Sequence, residues 1–319
     1  APNMLPMHFE LILQVMRNYG YKIDLLKTEG RQIVDAGLKY VHNDTCYPAL
    51  LVIGQFIDAI QSGKYDPHKV ALLLFQTGGG CRASNYVSLL RKALAKAGYG
   101  YVPVIGFSLS GIEKHPGWNL SVPILHRMAY GILYADLLMS LVNQCKPYEV
   151  RAGEAQALAD RWTKSLADEM YNSRVLSYKR IKENYRRILR DFNRVELHRV
   201  PKPRVGIVGE IFVKYSPLGN NRLEDFLVRE GAEVVVPGLL DFCLYVVYNN
   251  MEDVRLYGIN KLMGRIYGLA YKFLNGKVRD MIEIMKEESD FRTPTSFPHT
   301  ASLVEGCIHH GTKMVEGWL

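Results

Sequence analysis

Hydrophobic positions in the first part of the chain alternate between helical spacing and one short continuous run. Apolar residues recur at helical spacing over residues 8–16 and again over residues 47–60, which predicts a helix in each stretch. Residues 70–75 (Val-Ala-Leu-Leu-Leu-Phe) are uninterruptedly apolar, which is typical of a strand buried on both faces of a parallel sheet. A helix over residues 83–97 and a strand over residues 101–107 follow. This alternation predicts a doubly wound parallel sheet.

Two weaker patterns separate the first two helices. They predict a short strand over residues 22–26 and a helix over residues 30–37. Residues 43–45 (Asn-Asp-Thr) offer N-cap side chains for the helix that begins at Tyr47. Pro48 suits the first turn of that helix, because the first N–H groups of a helix have no intrahelical partner.

The second part of the chain begins with helices and then returns to alternation. Two long segments, residues 120–144 and 153–195, have helical spacing and no strand signal. After Pro-Lys-Pro at residues 201–203, the pattern predicts a strand, a loop, a helix and a strand, over residues 204–208, 214–221, 222–230 and 233–236. Helical patterns continue to residue 288, and a last helix, 301–319, is followed by no strand.

We therefore predict an α/β protein with two Rossmann-like parallel-sheet domains joined by long helices, the second domain being incomplete. The predicted first α/β domain, with the cysteine site, covers residues 1–150. A helical spacer covers residues 151–202, and the second α/β domain covers residues 203–319.

Composition narrows the class of protein without naming a function. Five cysteines without framework spacing, in a chain of 319 residues, argue against a disulfide scaffold and favour a cytoplasmic location. The longest apolar stretch, residues 128–142, contains Asp136 and is too short to span a bilayer, so we expect no membrane anchor. Much of the net charge of +8 lies in residues 179–194, whose apolar positions predict an amphipathic helix with a solvated basic face. This pattern does not favour nucleic acid as a partner.

Two cysteines lie in unusual contexts, each just before a predicted helix. Cys46 follows Asn-Asp-Thr, and Cys81 follows three glycines, Gly78, Gly79 and Gly80. The positive end of a helix dipole favours a thiolate, and glycines let a ligand approach the backbone closely. The pair suggests a metal or iron–sulfur site at the carboxyl end of the first sheet. The alternative is that Cys46 is a small apolar residue in a first turn and Cys81 a buried thiol in a tight turn.

The other cysteines are weaker candidates. Cys145 and Cys243 lie in apolar helical segments and are interpreted as packing residues. Cys307 precedes His309 and His310, and it is a possible metal ligand although the spacing lacks the paired form of known zinc modules. The predicted loop 214–221 either binds an anion or acyl carrier or is an ordinary connection.

Three segments resemble one known family. Residues 43–49 (Asn-Asp-Thr-Cys-Tyr-Pro-Ala), 53–55 (Ile-Gly-Gln) and 75–86 (Phe-Gln-Thr-Gly-Gly-Gly-Cys-Arg-Ala-Ser-Asn-Tyr) are similar to the 2-hydroxyacyl-CoA dehydratase superfamily. The similarity is greatest to the branch of acyl-CoA dehydratase activase-related proteins. It extends to Leu-Leu-Asp-Phe at residues 239–242 and Glu-Gly-Trp at residues 316–318.

The resemblance implies a 4Fe–4S cluster, or in some relatives a double cubane, held by Cys46 and Cys81. Backbone N–H groups at Gly78, Gly79 and Gly80 would stabilise the reduced cluster. The third thiolate is implied in a Pro-Phe-x-Cys stretch just after residues 316–318, and the chain ends at Leu319 before that point. We therefore expect this chain to bind a cluster poorly, unless Cys307 or Cys243 supplies the ligand.

The resemblance also implies a reaction and partners. An ATP-dependent activase, as a domain or a separate protein, would supply a low-potential electron, and an acyl-CoA is the implied substrate. One electron added to the thioester carbonyl would allow the α-hydroxyl to leave. A dimer is also expected. Two alternatives stay open at this point: a non-catalytic iron–sulfur electron-relay or regulatory module, and a structural zinc domain that uses Cys46, Cys81 and a histidine.

Overall fold

The protein is described here by a computed structural model that covers residues 1–42, 44–75, 82–107, 121–198, 200–258 and 260–307. The chain divides into two compact units. The first unit comprises Ala1–Phe9, Lys22–Ser121 and Phe212–Arg222. The second unit comprises Glu10–Tyr21, Val122–Ile211 and Leu223–Leu319. The predicted domain boundaries at residues 150 and 202 stay a prediction.

The first unit is built from helices around a short parallel pair of strands. In chain order its elements are α1 (Pro6–Asn18, of which residues 6–9 belong to this unit), α2 (Arg31–Tyr40), α3 (Tyr47–Gln61), β1 (Leu72–Phe75), a 3-10 helix (Arg82–Asn85), α4 (Tyr86–Lys96), β2 (Val104–Phe107), most of α8 (Ile211–Tyr215), and α9 (Pro217–Asn220). Strand β1 pairs with β2 in parallel, from Leu72 opposite Val104 to Phe75 opposite Phe107. The strands predicted at residues 70–75 and 101–107 are therefore present in shortened form.

Helix α3 forms the centre of the first unit's core. Nearly all of its side chains are buried, including Leu51, Ile53 and Ile57 at 0% exposure. Gln55 is the polar exception, and its Nε2 donates hydrogen bonds to the carbonyl oxygens of Thr28 (2.8 Å) and Leu26 (3.4 Å). A buried amide must find partners, so these bonds hold the extended segment before α2 against α3.

The second unit has long helices and a second parallel pair. Its elements are α5 (Val122–Cys145), α6 (Glu154–Asn172), α7 (Tyr178–Phe192), β3 (Arg204–Gly206), α10 (Leu223–Arg229), β4 (Glu233–Val235), α11 (Leu239–Tyr257), α12 (Lys261–Glu288) and α13 (Phe297–Leu303). Strand β3 pairs with β4 in parallel, with Arg204 opposite Glu233. The apolar face of α7, with Ile181, Tyr185 and Ile188 buried, confirms the predicted amphipathic helix.

Asp136, which interrupts the longest apolar stretch of the sequence, has a structural role. It lies buried in α5, and its two carboxylate oxygens accept hydrogen bonds from the backbone N–H groups of Leu239 (2.7 Å) and Leu240 (3.0 Å). These groups begin α11, where a helix has unpaired donors and a partial positive charge. The carboxylate thus caps α11 from a neighbouring helix.

Taken together, the described residues are mostly helical and contain four short strands in two parallel pairs. This agrees with the α/β class in its coarse form. A Rossmann-like arrangement of either unit stays a prediction. None of the described helices is long and apolar enough to span a bilayer.

Four predicted elements differ from the structure. The strand predicted at residues 22–26 is not formed: among the described residues it pairs only at Leu26, in an isolated bridge with Pro2. The helix predicted over residues 153–195 is two helices, because the carbonyl groups of Met170 and Ser173 turn to accept bonds from the guanidinium of Arg127 (2.7 and 2.6 Å).

The other two differences lie later in the chain. The loop predicted at residues 214–221 contains the end of α8 and all of α9, since Ser216 caps α9 and Pro217 occupies its first turn. The last predicted helix, 301–319, overlaps α13 only at residues 301–303. Helix α13 begins at Phe297, with Ser296 at its N-cap and Pro298 in its first turn, and residues 304–307 form a turn, so the prediction is wrong there. Residues 308–319 lie outside the described residues.

Candidate functional site

Cys46 occupies the N-cap position of α3. Its backbone is extended, with φ −63° and ψ 152°, and its carbonyl oxygen accepts the bond from the N–H of Leu50 (3.1 Å). The sequence predicted the N-cap among residues 43–45, and this prediction is wrong for Asp44 and Thr45. Pro48 fixes the start of the helix in its first turn, which leaves Cys46 as the flanking residue.

The thiol of Cys46 contacts the helix that follows the second cysteine motif. Cys46 is half-buried at the edge of the first unit's core, and its Sγ lies 3.7 Å from the hydroxyl oxygen of Tyr86. Tyr86 is the first residue of α4, and Cys81 precedes it by five positions in the sequence. The contact therefore links the first motif to the end of the second.

Cys81, with Gly78, Gly79 and Gly80, lies outside the described residues. The prediction that the thiols of Cys46 and Cys81 face one crevice stays a prediction. Strand β1 ends at Phe75, whose ring stacks on that of Phe9 with centroids 5.3 Å apart. An apolar pair of rings thus lies at the carboxyl end of β1, where the sequence places the glycines.

Gly54, the middle residue of the Ile-Gly-Gln segment, lies where α2 and α3 approach most closely. A Cβ atom at Gly54 would overlap the carbonyl oxygen of Ile33 and lie 2.9 Å from the backbone nitrogen of Gly37. Gly37 faces α3 in the same way, since its Cβ would lie 2.5 Å from the carbonyl oxygen of Leu50. The two glycines let the helix backbones touch, and this contact sets the position of α3 and of Cys46 at its start.

Cys145 and Cys243 have the environment of packing residues. Cys145 is fully buried at the end of α5, and this burial raises the pKa of its thiol to about 12. Cys243 is half-buried in α11, where desolvation, followed by the charges of Asp136 and Asp241, raises the pKa of its thiol to about 12. Both sulfurs are therefore protonated in the metal-free protein, as expected of packing residues.

Cys307 lies in an exposed turn after α13, where its N–H donates to the carbonyl oxygen of Val304 (3.0 Å). His309 and His310 lie outside the described residues. Over the described part of the chain, no three His, Cys, Asp or Glu side chains are grouped so that they could hold a metal ion. The role of Cys307 as a metal ligand stays a prediction.

The second unit also contains a charged cluster that no sequence motif indicates. Arg204, Glu233 and Arg292 come from three distant parts of the sequence and meet beside a cavity. No local motif identifies these residues. The pairing of β3 with β4 places Arg204 opposite Glu233, and Arg292 lies shortly after the end of α12.

Comparisons with protein-family models, with curated proteins and with solved structures find no match for this chain.

Proposed function

We propose that this chain is an iron–sulfur protein similar to 2-hydroxyacyl-CoA dehydratase subunits. It takes a low-potential electron from an ATP-dependent activase and uses it to reduce or dehydrate a small substrate, for which an acyl-CoA is the candidate. Cys46 and Cys81 hold the cluster. In this proposal each unit is an elaborated Rossmann-like domain.

The contact between Cys46 and Tyr86 is the observation that carries the proposal. The residues between Cys81 and Tyr86 form a 3-10 helix, Arg82–Asn85, in which each residue advances by about 2 Å. Consecutive Cα atoms lie about 3.8 Å apart. The thiol of Cys46, 3.7 Å from the Tyr86 hydroxyl, therefore contacts a residue that follows Cys81 by only five positions, which supports a shared ligand set.

The surroundings of Cys46 fit a thiolate ligand. Its sulfur lies at the N-terminal end of α3 and is only half-buried, and no described disulfide uses it. The Tyr86 hydroxyl can donate a hydrogen bond to that sulfur and orient it. A bound 4Fe–4S cluster supplies single electrons, at a potential set by its ligands, by hydrogen bonds to sulfur and by solvent exposure.

The proposal is tested by anaerobic reconstitution with iron and sulfide, followed by visible absorption and iron analysis. Wild-type protein is expected to take up iron and turn brown under anaerobic conditions, and to lose the cluster in air because two thiolates leave the iron exposed. Cys46→Ser and Cys81→Ser are each expected to lower the iron bound per chain. Cys145→Ala, which removes a fully buried thiol, is the matched control and is expected to load like the wild type.

Two outcomes contradict the proposal. One is stoichiometric binding of zinc with no uptake of iron, which would favour a structural zinc site. The other is iron uptake that is unchanged in both the Cys46→Ser and Cys81→Ser variants.

A further inference from the structure

The second unit contains a cavity of about 630 Å³ at the start of its two strands. This volume lies in the range of pockets that hold small organic ligands. Its polar lining includes Tyr148, Lys202, Arg204, Glu233 and Arg292. None of these residues belongs to the cysteine site, and all of them lie in the second unit.

Glu233 is the fixed centre of this lining. Its side chain is only 1% exposed, and the hydroxyl of Tyr148 donates a hydrogen bond to its Oε2 (2.9 Å). The other oxygen, Oε1, forms ion pairs with Arg204 (Nε, 3.3 Å) and with Arg292. One buried carboxylate therefore holds two guanidinium groups beside each other.

The two arginines are held at their backbones as well. Arg204 lies opposite Glu233 in the parallel pair of strands β3 and β4. The side chain of Gln144 bonds both backbone groups of Arg292, accepting from its N–H (2.8 Å) and donating to its carbonyl oxygen (3.0 Å). The guanidinium groups thus project from anchored positions.

Among the described residues, most donors of these guanidinium groups have no partner. Glu233 Oε1 contacts both arginines but has no aligned hydrogen bond among the described residues. Neither guanidinium makes an aligned hydrogen bond to any other described residue, and both side chains are about half exposed, at 50% and 49%. A guanidinium has five N–H donors in a planar fork that matches an oxyanion.

The charge around the cavity also favours an anion. Its charged lining residues are three cations, Lys202, Arg204 and Arg292, and two anions, Glu233 and Asp290. The lining therefore carries a surplus positive charge, while Val195, Leu197 and Phe291 supply apolar surface.

We propose that this cavity binds the oxyanion group, a phosphate or a carboxylate, of a small organic molecule whose apolar part packs on the apolar lining. The two arginines hold the anionic group, and Lys202 adds charge at the rim. Glu233 is a positioning residue that fixes both arginines. This inference does not depend on the iron–sulfur proposal, because every residue it uses lies outside the cysteine motifs.

An alternative role is purely structural. The ion pairs of Arg204, Glu233 and Arg292 would then only hold strands β3 and β4 against the segment after α12. The Arg204→Lys/Arg292→Lys double variant separates the two roles. Lysine keeps the positive charge beside Glu233 but lacks the planar fork. Arg186→Lys is the matched control, because Arg186 pairs with Glu288 (3.2 Å) in the same unit at similar exposure and does not line the cavity.

The experiment is calorimetric titration of the metal-free chain, residues 1–319, with phenyl phosphate, benzoate and inorganic phosphate. We expect saturable binding of phenyl phosphate or benzoate with a Kd of about 1 mM or lower. The phenyl phosphate and benzoate arms show which anionic group is preferred. In the double lysine variant, binding is expected to weaken by about tenfold or more, while the urea midpoint and the Arg186→Lys control stay at wild-type values.

Two results would overturn this assignment. The first is no saturable binding of any of the three compounds. The second is binding that is unchanged in the double lysine variant, which would leave the arginines with the structural role alone. Inorganic phosphate that binds as tightly as phenyl phosphate would overturn the apolar part of the proposal.

Discussion

Replacing Gly54 by alanine tests how the helix that carries Cys46 is positioned. In an isolated helix this change would be stabilising by about 1 kcal/mol, because alanine has the higher helix propensity. In this protein the new methyl group would overlap the carbonyl oxygen of Ile33 and lie 3.2 Å from the Cα atom of Gly37. These are backbone atoms, so α2 and α3 must move apart.

The steric cost is expected to exceed the gain in helix propensity. Forcing an extra methyl group into a packed core costs about 1–3 kcal/mol, and contacts with backbone lie at the upper end because no side chain can rotate away. We therefore expect Gly54→Ala to lower the free energy of unfolding by about 2 kcal/mol. A shift of α3 would also move Cys46, so iron uptake is expected to fall.

Gly131→Ala is the matched control for this experiment. Gly131 is also a buried glycine inside a helix, but its Cβ would meet only the side chain of Leu11, at 3.7 Å, which is ordinary contact. This variant is expected to be neutral or stabilised by up to about 1 kcal/mol. The free energies of unfolding of both variants are measured by urea unfolding, monitored by circular dichroism. Equal stability of Gly54→Ala and wild type would refute the proposed backbone contact.

Three further predictions concern single side chains. Asp136→Ala removes both acceptors from the start of α11 and is expected to lower the free energy of unfolding by about 3 kcal/mol; a loss below about 0.5 kcal/mol in urea unfolding would contradict the capping role. Burial opposes ionisation of Glu169, but bonds from Arg180 and Asn184 leave its pKa below the usual 4.5. The ionised carboxylate should therefore stabilise the fold above about pH 4.5, and this effect should disappear as the pH falls through the lowered pKa. The difference in free energy of unfolding between wild type and Glu169→Gln, measured with urea, should shrink from pH 7 to pH 3. A difference that does not change with pH would contradict this. Tyr86→Phe removes the hydroxyl next to Cys46, and we expect a more negative reduction potential in a redox titration of the reconstituted protein; an unchanged potential would mean that this hydroxyl does not bond the ligand sulfur.

The sequence predicted elements well where a local signal was strong. Helix α3 has Pro48 in its first turn and an apolar side chain at almost every position, and its predicted bounds of residues 47–60 agree with Tyr47–Gln61. Strand β1 lies within the continuous apolar run at residues 70–75. In both segments one signal, apolar burial, acts over many neighbouring residues.

Elements that depend on distant contacts were not predictable. The segment at residues 22–26 has strand-like apolar positions, but the side chain of Gln55 donates a hydrogen bond to the carbonyl oxygen of Leu26, and none of the described strands pairs along the segment. The break between α6 and α7 depends on Arg127, which lies in another helix. The carboxylate of Asp136 looked like an interruption in an apolar run, and its partners on α11 follow only from the fold.

The candidate site shows the same division. The start of α3 at Tyr47 followed from the local sequence, whereas the contact of the Cys46 thiol with Tyr86 needed the packing of α3 and α4. The cluster of Arg204, Glu233 and Arg292 has no sequence signature, because each residue lies in an unrelated segment.

Iron X-ray absorption of the anaerobically reconstituted protein tests the central claim most directly. We expect a sulfur-dominated shell around iron together with an iron–iron distance, as a cluster held by cysteine thiolates requires. Both features should weaken in Cys46→Ser and in Cys81→Ser and persist in Cys145→Ala. A shell of oxygen or nitrogen without an iron–iron distance, or spectra that are unchanged in both serine variants, would contradict it.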